Sequence, residues 1–302
     1  MTSKNKHVWI ILAATLLWGT TGTVQHVAPA GATPLGVAAL RMLIGGCGLA
    51  LWALVRGKGL AMIHLPMGSL VASALTIGLY QPLFFMAVKG TGVAVGTVVA
   101  LGSAPIFTGG IQWMLGEKIH TKWLVSTSTA IIGCGLIFSQ LGTLKLEIWG
   151  VLFALGAGLS YSIYVQVSKR LFQVADRKAV NGGVFFCSAV LLSPLLVAEP
   201  LGWFMTPTGS LTMLYMGLVA TTLAYSLFSI GLKGVATHEA VTLTLGEPLT
   251  AAVLGLFFLG ESLNMVSSLG LVLIALGLLI NTKVANNKQN KRETRKASGH
   301  GY

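Results

Sequence analysis

Of the eight acidic residues in the chain, Glu247 alone lies deep within an apolar run. Counted from Val235, it sits about 18 Å into that run at 1.5 Å of helical rise per residue. An ionisable group at such depth is costly in hydrocarbon and marks a binding or proton-exchange site by default. Pro248 follows it. A proline inside a helix has no N–H to donate, so the carbonyl of Thr244 is expected to lose its helical donor and the chain to bend. A carboxyl group beside a free carbonyl suits a substrate amine or a proton, and a structural carboxyl bonded to a neighbouring helix fits the same residues. His238 and Glu239, at the start of the same run, are candidates for a gate or proton path, and an interfacial position is the plainer reading. Arg41, near one end of another run, suits a carboxylate, or a guanidinium reaching for headgroups. Trp18, Tyr80, Gln81, Tyr161, Tyr164 and Tyr225 fall within runs as candidate cavity liners, each of them also suited to helix packing. Pro105 and Pro248 are the candidate kink or gating prolines, standing above Pro82 and Pro194 because they hold nearly equivalent places in a repeat of the chain.

Other chemistries find no support. The sequence contains no HExxH, no GxSxG, no P-loop and no paired aspartates at metal-ligand spacing, and His238-Glu239 lacks the second histidine of a zinc site. Neither an enzyme nor an ATP-driven pump is expected, and no metal or cofactor is called for. A passive channel, or a membrane-embedded sensor or enzyme, is the alternative to a carrier.

The elements that must position these residues follow from composition. The chain is 54% hydrophobic and 9% charged, where a soluble domain carries about a quarter charged residues. Apolar runs of membrane-spanning length recur at about 8–28, 34–55, 67–88, 92–115, 121–139, 147–167, 179–199, 208–231, 235–259 and 263–282. They are too long for barrel strands and lack strict alternation. An all-α integral membrane protein of ten transmembrane helices is expected, with the first helix retained rather than cleaved after Ala28-Pro29-Ala30. The 38 glycines suit close helix packing in lipid. Threaded from a cytoplasmic N-terminus, the bundle places all but Arg41, Lys89 and Lys145 of the 20 Lys and Arg residues on the inner side. The net charge of +12 is thereby read as a topology signal, with lipid rather than nucleic acid as partner. Trp9, Trp52, Trp123, Trp149 and Trp203 fall near run ends as an interfacial belt requires. Cys47, Cys134 and Cys187 are read as small core residues.

Shifted by 144 residues, the sequence matches itself: Lys89-Gly90 with Lys233-Gly234, Leu101-Gly102 with Leu245-Gly246, Gly116-Glu117 with Gly260-Glu261, and Gly133 with Gly277. Five helices per copy is an odd number, so the second copy enters the membrane from the opposite side, and Glu117 falls inside while Glu261 falls outside. Inverted repeats are a common frame for alternating access.

These residues resemble the drug/metabolite transporter superfamily with two EamA domains. The resemblance runs from Trp18-Gly19 to Gly277 and rests on Pro105, Leu115-Gly116-Glu117 and Gly133, and again on Glu247-Pro248, Leu259-Gly260-Glu261 and Gly277, with Ala39-Leu40-Arg41 and Ser160-Tyr161-Ser162-Ile163-Tyr164 in support. It implies ten helices in two inverted five-helix repeats around a central cavity. The copies would span 1–140 and 145–282, followed by a basic disordered cytoplasmic tail, 283–302. It also implies export of a small molecule such as an amino acid across the inner membrane, and proton coupling is a hypothesis resting on Glu247. Ala104 departs from the pattern, standing where the second copy has Glu247. The sequence does not fix the oligomeric state.

Overall fold

The computed structural model describes residues 3–139, 147–258 and 264–298. Among them every regular element is helical, and nine segments are long and apolar enough to cross a membrane. The chain is an all-α, multi-pass membrane protein. Its outer surface carries Leu51, Val55, Val190, Val197, Phe257 and Leu279 exposed, an apolar jacket that lipid wets and water would not.

Helix α1 spans Ser3–His26 and α2 Pro34–Val55. The start of α2 is fixed by Thr33, whose Oγ1 accepts from the Gly36 N–H at 3.2 Å, and by Pro34 in the first turn. A short helix α3, Gly59–Ile63, precedes α4, Met67–Met114. The sequence predicts two helices here, and α4 is helical throughout, yet it holds two membrane spans, Met67–Thr91 and Val95–Met114. A Cβ placed on Gly96 would lie 3.0 Å from the backbone of Val88, whereas eight residues of straight helix span about 12 Å. The path therefore folds back on itself between the two spans.

Helix α5 spans Thr121–Phe138. Helices α6, Ile148–Val174, and α7, Arg177–Ala198, begin the second half of the chain. The expected helix 208–231 is built of three pieces: α8, Pro207–Leu214, a wide-turned π-helical segment Tyr215–Leu223, and α9, Ala224–Leu232. The expected helix 235–259 is broken into α10, Thr237–Leu243, and α11, Gly246–Phe258. The last helix, α12, spans Met265–Ser298. It continues as helix past Lys283 where an irregular tail is expected, consistent with the Ala, Lys, Gln and Arg content of that stretch.

Glycines set the closest crossings. A Cβ on Gly133 of α5 would lie 2.6 Å from the Gly270 carbonyl oxygen, and one on Gly277 of α12 would lie 2.7 Å from the Ser126 carbonyl oxygen. As residue numbers rise along α5, the partners on α12 fall, so the two helices pack antiparallel. Helices α2 and α7 cross in the same sense, with Gly46 against Phe185 and Ala189, and Gly182 against Ala50 and Ala53.

Two expectations change. Trp123 and Trp203 are buried, unlike Trp9, Trp52 and Trp149, because their rings fill gaps between helices rather than the lipid interface. Of the three free cysteines only Cys134 is core; Cys47 and Cys187 are exposed on the jacket. Leu259, Gly260, Glu261 and Lys145 lie outside the described residues.

Candidate functional site

A cavity of about 310 Å³ lies inside the bundle. Its wall is drawn from α1 (Trp18 to Gly22), α2 (Val37 to Arg41), both spans of α4 (Tyr80 to Val88, Thr97 to Ala104), Tyr161 of α6, Met216 of the π segment, Tyr225 of α9 and Thr244 to Ala251 at the α10–α11 junction. Most of the lining is apolar or aromatic, with a few polar groups placed within it, the usual composition of a small-molecule site.

The α10–α11 junction supplies the carboxyl group. After Leu243 the hydrogen bonds tighten: Thr244 N–H donates to Val241 at 3.2 Å, Leu245 N–H to Thr242 at 3.1 Å and Glu247 N–H to Thr244 at 2.9 Å. The carbonyl of Thr244, expected to be free, is thus satisfied by the amide of Glu247. Pro248 does not kink a continuous helix. It sits in the first turn of α11, where a missing N–H costs no helical bond. Glu247 occupies the same turn, and an acid there suits the positive end of the helix macrodipole. Gly19 lets α1 reach this junction: a side chain there would meet Thr250 and the Glu247 carbonyl oxygen.

The π segment supplies the other side. Its wide turns are held by Thr221 Oγ1 donating to Met216 O at 2.9 Å and Thr222 Oγ1 to Gly217 O at 3.1 Å. The Ala220 carbonyl then accepts from Trp18 Nε1 at 3.0 Å and from the Arg41 guanidinium at 3.2 Å, while Arg41 Nε donates to Thr221 Oγ1 at 3.0 Å. Arg41 therefore turns into the cavity instead of extending to headgroups. Three of its five N–H donors are left after these two bonds, and it forms no ion pair among the described residues. Tandem π turns of this kind are rare and tend to mark functional sites.

Aromatic rings back the wall: Trp18 with Tyr225 at 4.9 Å, Tyr80 with Tyr161 at 5.5 Å, and Phe185 with Tyr225 at 4.5 Å between centroids. The Tyr161 hydroxyl is buried without a hydrogen-bond partner among the described residues, a costly state unless something in the cavity bonds to it.

The structure brings together Glu247, Pro248, Trp18, Tyr80, Gln81, Tyr161, Tyr225 and Arg41 in this one cavity. Tyr164 is not on its wall; it packs behind it against Tyr161, Phe185 and Tyr225. Pro105 is likewise behind the wall, while its neighbour Ala104 lines it. His238 and Glu239 are both 2% exposed, because α10 packs among α4, α1, α12, α6 and α5. His238 Nδ1 bonds Gln112 Oε1; Trp123 Nε1 donates to Thr242 Oγ1 at 2.9 Å and to His238 O at 3.2 Å; and Asn281 Nδ2 donates to Glu239 O at 2.9 Å. Sequence reasoning missed Gln112, Asn281 and Thr221. Polar residues within apolar runs were the available signal.

A sparsely polar cavity walled in part by interrupted helices inside a lipid-wetted bundle defines a polytopic membrane protein with an internal cavity. The EamA-like transporter family profile matches residues 5–139 and again 148–283. The chain belongs to the EamA-like transporter family. It is 45% identical over 292 residues, covering 96% of this chain and 97% of the relative, to an uncharacterized transporter, YwfM, of Bacillus subtilis. It is 27% identical over 285 residues, covering 85% of this chain and 91% of the relative, to the threonine/homoserine exporter RhtA of Escherichia coli. A solved crystal structure shares the fold, with a TM-score of 0.83 at 20% identity over 94% of this chain and 99% of that one.

Proposed function

We propose that the protein is a secondary transporter of the inner membrane that exports a small zwitterionic metabolite, an amino acid or close relative, by alternating access. The carrying observation is one cavity that has Glu247 from the α10–α11 break, Arg41 from α2 and Tyr161 from α6 on its wall. Glu247 would take the substrate amine or exchange a proton, Arg41 would take the carboxylate, and the aromatic wall would hold the remainder. The exporter named among the relatives supports this substrate class.

Alternating access would use two inverted five-helix halves. The reciprocal contacts support that reading: Gly133 meets position 270 while Gly277 meets position 126, and each pair becomes the other under the 144-residue offset. Such exchange of i with j is what a two-fold axis requires. Gly90 against Gly150, answered by Gly234 against His7, repeats the pattern on the flanking helices. Ten crossings follow if α5 spans as its partner α12 does. Both termini would be cytoplasmic, and the Lys58–Asp176 ion pair at 3.9 Å supports putting two of the basic loops on one membrane face.

Counterflow in proteoliposomes tests the reading. Vesicles preloaded with unlabelled L-threonine, L-homoserine or a panel of other amino acids should concentrate the labelled compound transiently. A channel would only equilibrate it, and a sensor or enzyme would leave it outside. Failure across the whole panel of amino acids and amines overturns the assignment. For proton coupling, an imposed pH gradient should change the initial rate, and indifference to it removes that part.

A further inference from the structure

We infer that His238 and Glu239 form a second proton-binding site, placed in series with Glu247 between the central cavity and the cytoplasmic face. The inference rests on the proton-exchange reading of Glu247 given above. Two donors converge on Gln112 Oε1, the His238 backbone N–H at 3.3 Å and the ring Nδ1. An amide oxygen only accepts, so Nδ1 carries a hydrogen and Nε2 is the basic nitrogen. Nε2 lies 3.9 Å from Glu239 Oε1, with both side chains at most 3% exposed. The pair is thus an acid and a base side by side in a dry environment, built to hold one proton on either partner.

Of the elements packed on α10, α4 brings Gln112, α5 brings Trp123 and Thr127, and α12 brings Asn281, all neutral. Among the described residues, charged or titratable neighbours include Lys169 of α6, bonded to the Val235 carbonyl, His7 of α1, against Gly234, and Lys233, which follows α9. Glu239 and Glu247 are separated by eight residues of one interrupted helix, about 12 Å by helical rise, and Thr244, between them, lines the cavity. Polar groups spaced like this inside a membrane are the recurring form of proton relays. In the step envisaged, the Glu247 carboxyl gives up one proton, the Glu239 carboxylate or the neutral imidazole Nε2 takes it, and the pair then releases it to the cytoplasm. One proton enters and one leaves, so no charge accumulates in the bundle.

Trp123 provides a substrate-free reporter, since its ring stands edge-on to His238 at 5.0 Å between centroids and a protonated imidazole quenches indole emission. In the full-length protein in nanodiscs, the emission that Trp123→Phe removes should fall by about half as the pH is lowered. That transition should vanish in His238→Gln and survive in Glu247→Gln. Its absence from the wild type overturns the site. For the series arrangement, the infrared carboxyl band that Glu247→Gln removes is followed after a pH jump. His238→Gln, or Glu239→Gln should the first fold poorly, should slow its response about tenfold or more. A wild-type band that ignores pH overturns the proton reading of Glu247 and the series with it. A wild-type response that both variants keep at full speed overturns the series alone.

Discussion

Gly133→Ala offers a quantitative test of how the two copies join. The added Cβ would stand 2.6 Å from the Gly270 carbonyl oxygen and 2.7 Å from the Ile274 nitrogen, both backbone atoms of α12. Ordinary contact begins near 3.4 Å, so α12 must retreat by several tenths of an ångström along a tightly packed crossing. No flexible side chain can absorb that. Overpacking of this size costs about 1–3 kcal/mol, offset by up to about 1 kcal/mol of helix propensity gained over glycine. Gly277→Ala meets Ser126 O at 2.7 Å and Ala130 Cβ at 2.8 Å, and should cost about the same because it occupies the reciprocal place. Gly135→Ala, on the same helix with nothing within 4 Å, gains propensity without contact and should be neutral or slightly stabilising. Thermal melts of the three variants, read by size-exclusion fluorescence in one detergent, make the comparison. If Gly133→Ala melts with Gly135→Ala, the crossing is not as close as described and the reciprocal packing argument fails.

Other consequences can be checked as directly. Glu247→Gln, which keeps shape and loses charge, should lower proteoliposome counterflow by about tenfold or more, as loss of a hydrogen bond to a charged group of 1.5–3 kcal/mol implies, and Glu247→Ala by at least as much; full activity in both ends the functional claim for this residue. Arg41→Lys keeps the charge but loses the fork that engages both Thr221 and Ala220, so apparent substrate affinity should weaken while Arg41→Met loses transport; equal activity of Lys and Met variants would deny the guanidinium a role. On a cysteine-free background, single cysteines at positions 118 and 178 should be labelled from the same side of the membrane and one at 89 from the other. Labelling of 118 and 178 from opposite sides breaks the inverted arrangement.

Much of this architecture is written in one-dimensional signals. Length and hydropathy locate the spans, since crossing hydrocarbon imposes a length that little else imposes. The repeat offset finds Gly133 and Gly277, and they prove to be the glycines at which the matching helices touch. The cavity liners were findable because a ring or charge inside an apolar run needs a reason. The misreadings share another physical origin. Whether Tyr164 faces a cavity or a neighbouring ring, or whether His238 faces headgroups or Gln112, depends on rotation and on partners more than a hundred residues away in sequence. The break at Thr244–Leu245 falls where Pro248 withholds a donor from the Thr244 carbonyl, so a disturbance there was legible while its form, a tightened turn closed by the Glu247 N–H, was not. The π segment Tyr215–Leu223 has ordinary composition, and its Ala220 carbonyl finds partners across the bundle in Trp18 and Arg41 that sequence alone does not disclose.

The interruption between α10 and α11 makes this crossing a jointed rod. One piece is pinned at its flanks by Gln112, Trp123 and Asn281; the other leans on α1 at Gly19 and Thr250. A straight rod would carry any tilt from one leaflet to the other, whereas a joint would, on the proposed function, let cargo at Glu247 load α11 while α10 keeps its packing. On that function, mutations that change what is carried would accumulate at the joint without making the membrane leak.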